Sequence, residues 1–203
     1  MTRTIWRLFP RGVPRYLDFA CGTGRITSIV GPLAQESYGL DISETMILRA
    51  RQKCPSTTFI VADATRERLE IAPVDLVTAF RFFGNAQQEL RREALAAIWT
   101  LLRPGGYLIM NNHKNAGSVR CTLRRLRGET LTQTLDYKGT VEILKDAGFK
   151  VIRSYGVGFW LFRAAWVRGG FLDSRLGDVL DSVSLVKGIA RFCPDIVFLA
   201  QKP

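Results

Sequence analysis

Apolar residues in this chain fall in short runs that end on a polar residue or a glycine. Stretches of helical period separate those runs. The first run, 16–20, meets a Cys21-Gly22-Thr23-Gly24 turn and predicts a buried strand. A helical pattern over 25–33 is interrupted by Gly31-Pro32, and 37–41 predicts a second strand. Ser43 then has the character of an N-cap, Glu44 complements the helix dipole, and Met46, Ile47 and Ala50 share one face. Strands are expected at 57–62, ending on Asp63, and at 74–80. Asn85 is the expected cap of a helix in which Leu90, Ala94, Leu95, Ile98 and Leu102 recur near the 3.6 period, stopped by Pro104-Gly105-Gly106. A fifth strand at 107–110 runs into Asn111-Asn112-His113. A helix at 140–147 precedes a sixth strand at 149–155, and 195–201 makes a seventh. Strands alternating with helices predict parallel pairing, right-handed crossovers and a doubly wound α/β sheet.

Two stretches break the alternation. Residues 114–138 carry Arg120, Arg124, Arg125 and Arg127. Residues 157–193 are rich in glycine, aromatic residues and arginine, with a helix expected over 174–187. Both follow the ends of late strands, where insertions shape the ligand pocket of an open sheet. With 203 residues, 47% of them hydrophobic, the chain reads as a single domain over 1–203, carrying a pocket-covering insertion at about 157–193. Its 29 Lys and Arg against 18 Asp and Glu leave a net charge of +11, which favours anionic partners or reflects an arginine-rich proteome. Cys21, Cys54, Cys121 and Cys193 make no C-x-x-C pair and His113 is the single histidine, so no metal site is expected and a reducing, cytoplasmic setting is. Residues 1–7 lack the apolar core of a signal peptide, and no run is long enough for a membrane span.

The chemistry concentrates after the first strand. Leu17-Asp18-Phe19-Ala20-Cys21-Gly22-Thr23-Gly24-Arg25 brings backbone N–H groups and a helix start beside a strand end, and Asp41 closes the next strand. That pairing suits a nucleoside-containing cofactor. The third glycine of a G-x-G-x-x-G turn is absent, which disfavours a dinucleotide. The form L-D-x-x-C-G-T-G resembles the first motif of class I S-adenosylmethionine-dependent methyltransferases. Gly39-Leu40-Asp41-Ile42-Ser43-x-x-Met46 resembles that family's second-strand motif, and Val61-Ala62-Asp63-Ala64 its third-strand motif. Leu101-Leu102-Arg103-Pro104-Gly105-Gly106-Tyr107-Leu108 and Ile143-Leu144-x-x-Ala147-Gly148-Phe149 resemble the approaches to its fifth and sixth strands. The likeness covers about 15–156 and the last strand.

This resemblance implies a seven-stranded, mostly parallel Rossmann-like sheet with an antiparallel last strand. It implies S-adenosylmethionine as cofactor, leaving as S-adenosylhomocysteine. The contacts it assigns are Asp18, Ala20, Cys21, Gly22, Thr23 and Gly24 in the first turn, and Asp41, Ile42 and Met46 after the second strand. Asp63 and Ala64 follow the third strand, and Phe80 ends the fourth. Within it, Asp41 accepts from the ribose hydroxyls, Asp63 faces the adenine amino group, and Met46 and Ala64 flank the ring. Read from the residues alone, Asp18 is equally a carboxylate that pins the turn, and Met46 equally a core residue. Family members usually carry about forty residues of helix ahead of the first strand, against about fourteen here. The pocket is then either more open or covered by the 157–193 insertion or a partner chain.

Methyl transfer needs an aligned nucleophile, exclusion of water and, for a protonated acceptor, a base. His113 is the candidate base, with substrate-binding and structural roles as alternatives. Arg81 is a candidate for binding an anionic substrate group or for an internal salt bridge, and Asn112 a candidate for substrate binding. Phe80, Phe82 and Phe83 read as core more readily than as an aromatic cage. The chain lacks the [N/D]-P-P-[Y/F] and Pro-Cys signatures of nucleic-acid-modifying members. A small or lipid-linked metabolite, methylated on O or N, is therefore the expected acceptor. An RNA methyltransferase using the basic surface and a non-catalytic cofactor-binding subunit are the alternatives. Aromatic residues interleaved with arginines over 157–175 suit either a lid or peripheral membrane contact.

Overall fold

A computed structural model describes residues 1–129, 135–157 and 188–203. Helix α1 (Thr2–Leu8) leads to strand β1 (Val13–Phe19), a short helix α2 (Thr27–Val30) and a 3₁₀ turn at Gly31–Leu33. Then follow β2 (Ala34–Asp41), α3 (Glu44–Lys53), β3 (Thr58–Val61), β4 (Val74–Ala79) and α4 (Gln88–Leu101). The order closes with β5 (Leu102–Asn112), α5 (Val119–Leu126), α6 (Tyr137–Asp146), β6 (Lys150–Val157) and β7 (Asp195–Gln201).

The strands form one sheet in the order β3-β2-β1-β4-β5-β7-β6. The first four pairings are parallel, and β7 runs antiparallel to both β5 and β6. The doubly wound sheet with an antiparallel last strand is thus the observed fold. Strand order reverses between β1 and β4, and ligands of open α/β sheets bind outside the strand ends at such a point.

Alternate residues on each strand serve opposite faces. Leu17, Val77 and Leu108 pack with Ala94, Leu95 and Ile98 of α4 and Leu144 of α6. Their neighbours Tyr16, Leu76 and Ile109 pack with Ile5 of α1 and with Ile26 and Val30 beside and within α2. All six residues of β4 are buried because layers cover both its faces. Ser43 caps α3 as its sequence predicts, with its Oγ accepting from the Met46 N–H.

Several boundaries differ from expectation. Helix α4 begins at Gln88 after an N-cap at Gln87, while the Asn85 amide donates to the Arg81 carbonyl at 2.7 Å. Strand β5 reaches back through Pro104-Gly105-Gly106 to Leu102, with a register irregularity against β4 between Val74 and Leu76. Lys202 makes that extension possible. Its backbone pairs with Gly105 and Gly106, and its Nζ donates to the Trp99 and Leu102 carbonyls, each at 2.7 Å, at the C-terminus of α4. The helical pattern at 25–33 resolves into α2 and the 3₁₀ turn, and α1 and α5 were not anticipated. The helix expected at 174–187 and most of the 157–193 insertion lie outside the described residues. No described helix is long and apolar enough to cross a membrane.

Candidate active site

The first turn combines alternating left-handed residues with a carboxylate clamp. Ala20, Gly22 and Gly24 have φ of 55°, 54° and 72°. A Cβ on Gly22 would meet nothing within 4 Å, so the space beside the turn is open. A Cβ on Gly24 would come within 3.2 Å of the Ala50 Cβ, so this glycine lets α3 approach the turn. Cys21, buried, continues the β1–β2 ladder by donating its N–H to the Leu40 carbonyl, and Thr23 is exposed. Asp41 at the end of β2 accepts from the Gly22 N–H at 2.8 Å and from the Ser43 N–H at 2.9 Å, one bond to each carboxylate oxygen. One acid thereby fixes both the glycine turn and the start of α3, and each oxygen keeps a lone pair for a ligand hydroxyl.

Apolar surface flanks this clamp. Ile42 is 73% and Met46 39% exposed, which leaves apolar surface that a ligand could cover. Asp63 lies beyond β3, where Ala62 extends the pairing to Asp41. Its Oδ1 accepts from the N–H and hydroxyl of Thr65, which holds the carboxyl below its ordinary range. Ala64 is half-buried beside it. An open glycine turn, a diol-sized carboxylate and two exposed apolar side chains fit a nucleoside. Among the described residues, no cluster of three metal-binding side chains exists.

Asp18 is placed differently from the other acids. It is 2% exposed, and its two oxygens accept from the hydroxyls of Thr27, at 2.6 Å, and Thr78, at 2.8 Å. Thr78 also shares a hydrogen bond with the buried Tyr16 hydroxyl, at 2.6 Å. Burial pushes the Asp18 carboxyl up to about 6, against the pull of those hydrogen bonds. This arrangement pins α2 and β4 beneath the turn, the role that its residue type left open. The sequence reading missed these hydroxyls, and the available signal was a Tyr and a Thr inside otherwise apolar strands (Tyr16, Thr78) and a Thr opening a short apolar helix (Thr27).

Across the switch point, Arg81 follows β4 with φ 60°. It and Ala20 are the non-glycine residues with positive φ among those described, and they end the two strands that flank the reversal. Such a conformation costs about 1–2 kcal/mol and persists where neighbours over-determine it. Here Asn111 accepts from the Arg81 N–H at 2.7 Å, and Asn85 donates to its carbonyl. Buried Asn111 is itself oriented by Asp195, whose two oxygens accept from its amide at 2.9 and 3.1 Å. The Arg81 side chain is exposed and makes no salt bridge to an acid among the described residues. Asp195 was read only as a strand residue.

His113 packs its ring on Gly84, where a Cβ would come within 2.9 Å. Its Nδ1 is buried without a hydrogen-bond partner among the described residues. Burial lowers the affinity of the imidazole for a proton. Asp195 opposes that effect, and Arg81 and Lys114 reinforce it. These four side chains therefore share one neighbourhood. Asn112 does not join them. It is fully buried, and its amide donates to the Leu135 carbonyl and the Thr140 hydroxyl, so it fastens α6 rather than a substrate. Its position on β5, one residue from Asn111, sends it to the opposite face. Phe80 packs against the core layer that contains Ile5 and Tyr16. Phe82 and Phe83 belong to the other core layer, Phe82 stacking edge-on with Phe19 at 5.5 Å.

The fold and the clamp form a doubly wound domain with an open turn at the switch point that fits a nucleoside. Residues 17–106 match the family model for a methyltransferase domain. A probable S-adenosylmethionine-dependent methyltransferase of Mycolicibacterium smegmatis is 24% identical over 178 residues, covering 86% of this chain and 64% of that protein. A trans-aconitate 2-methyltransferase of Methylobacterium radiotolerans is 33% identical over 122 residues, covering 57% of this chain and 45% of that one. Among solved structures, magnesium protoporphyrin IX methyltransferase of Synechocystis, with bound S-adenosylhomocysteine, superposes with a TM-score of 0.67 at 17% identity. That superposition covers 100% of this chain and 81% of the other, and it speaks for the fold. Residues 17–106 are therefore similar to a methyltransferase domain, on a fold shared with solved S-adenosylmethionine-dependent methyltransferases. The chain spans less than two thirds of the length of these two curated relatives.

Proposed function

We propose that this protein transfers a methyl group from S-adenosylmethionine to an oxygen or nitrogen of a small or lipid-linked metabolite that carries an anionic group. The observation that carries the reading is the Asp41 carboxylate bound to the Gly22 N–H beside an open turn, within a methyltransferase-domain match. The bound cofactor would supply an electrophilic methyl group on a sulfonium sulfur. Asp41 would hold the ribose hydroxyls, Met46 and Ala64 would flank the base with Asp63 at its amino group, and the backbone of Ala20 and Gly22 would hold the amino-acid end. Arg81, gripped through both its backbone polar groups, presents its guanidinium to the acceptor's anion. A relative named for an anionic substrate, trans-aconitate, supports that assignment. His113, kept neutral by burial, takes the acceptor's proton, and Nε2 is the nitrogen left for this because Nδ1 is sealed.

The test is a partition of product. The protein is incubated with methyl-labelled S-adenosylmethionine and a cell extract, with Asp41→Ala as control. Label in the acid-soluble or organic phase, absent in the control, is expected. Label in nuclease-sensitive precipitate would replace the metabolite with RNA. Tight S-adenosylhomocysteine binding without label in any fraction would make the chain a cofactor-binding subunit.

A further inference from the structure

Among the described helices, α5 alone buries no residue. Its base is nevertheless firmly held. Asn115 donates to the Arg191 and Cys193 carbonyls at 2.8 and 2.7 Å, the Ala116 N–H donates to the Leu135 carbonyl, and buried Ser118 caps the helix through the Cys121 N–H. A helix fixed at its root but unused by the core calls for another use of its faces.

Those faces are segregated. Val119, Leu123 and Leu126 recur at i, i+4 and i+7 and form one stripe. The stripe points outward, with Leu123 39% and Leu126 80% exposed. Arg120, Arg125 and Arg127 are exposed and make no ion pair among the described residues, while Arg124 pairs with Glu129 at 2.6 Å. The segment that carries the helix leaves the C-terminal end of β5, the end that also leads into His113.

We propose that α5 is an interfacial helix that seats the domain on an anionic lipid surface, with its leucines in the acyl boundary and its arginines on headgroup phosphates. Charge complementarity identifies the occupant, since the chain carries +11 and this helix with its C-cap concentrates four arginines within eight positions, Arg120 to Arg127. The outward leucines decide against RNA, because a helix that grips only phosphates gains nothing from an apolar stripe in water. The proposal is independent of the acceptor and of turnover, since it requires neither cofactor nor substrate. It places the mouth of the active site next to the bilayer, where a lipid-linked acceptor would arrive.

The experiment is co-sedimentation of the full chain with vesicles of phosphatidylcholine alone or containing phosphatidylglycerol. Leu123→Ser with Leu126→Ser, and Arg120→Glu with Arg125→Glu, are compared with the parent. All four positions are exposed, and circular dichroism checks that the fold is retained. Binding to the anionic vesicles alone is expected, weakened at least about tenfold by either pair of substitutions. Absence of binding to anionic vesicles overturns the proposal. Binding that survives both pairs overturns it too, because the contact then lies elsewhere in the chain. A loss with the arginine pair but not the leucine pair, accompanied by RNA binding, converts the helix into a nucleic-acid surface and also overturns it.

Discussion

Asp18→Asn should remove a pH dependence from the folding stability of this protein. The native carboxyl is 2% exposed, and burial raises it from 3.8 to about 6. At about 1.4 kcal/mol per pH unit, that displacement is worth roughly 3 kcal/mol. The folded state binds more protons than the unfolded state between those two values. The carboxyl's contribution is therefore fully present below about pH 4 and is lost as pH rises through about 6. Asparagine keeps the shape and one acceptor, and its amide can donate to the Thr27 or Thr78 hydroxyl, since each hydroxyl both donates and accepts. Urea unfolding followed by far-ultraviolet circular dichroism at several pH values from 4 to 7 gives both stabilities. Other titrating groups cancel in the difference. The variant should gain on the parent by roughly 2 kcal/mol between pH 4 and pH 7, most of the full displacement. A difference that stays constant across that range would mean that Asp18 ionises normally in the fold, and the argument from burial would fail.

Three further outcomes follow from the same geometry. Asp41→Ala removes the partner of the Gly22 and Ser43 N–H groups and should weaken S-adenosylhomocysteine binding by roughly 2–3 kcal/mol in calorimetry, and unchanged affinity in a folded variant would refute the site. Arg81→Gly relieves a positive φ, so thermal unfolding should show stability equal to the parent's or up to about 1 kcal/mol higher, while kcat/KM for an anionic acceptor falls; a clear drop in Tm would contradict the strain argument. With His113 as base, kcat/KM should decline only below the ordinary imidazole value of 6.5, because burial lowers its proton affinity. His113→Asn should abolish that limb and lower the plateau by about a hundredfold or more, and a limb that persists would assign it to another group.

Much of the fold was written in local patterning. The runs ending at Ala20, Asp41 and Asp63 and the apolar period through Ala94, Leu95 and Ile98 are visible because burial on a sheet or helix face imposes a period on the sequence itself. Glycine positions were legible for a related reason, since Gly22 and Gly24 serve conformations that other residues reach only with strain. The strand-end positions of Asp41 and Asp63 could likewise be read from the sequence. The fates of individual polar side chains could not. Asn111 and Asn112 are adjacent and identical in chemistry, yet one steadies Arg81 and the other fastens α6, because pleating turns them to opposite faces. Asn85 looked like a helix cap and instead holds the Arg81 carbonyl. Asp18 and Asp41 both precede or follow a turn, but only packing decided that the first is sealed among hydroxyls and the second stays open to a ligand. The sequence by itself determined the periodicities, the turn chemistry and the strand-end carboxylates, all properties of neighbours in the chain. The tertiary structure decided which side chains meet across β4, β5 and β7, because those contacts join residues 30 to 84 positions apart and depend on register, which no local pattern records.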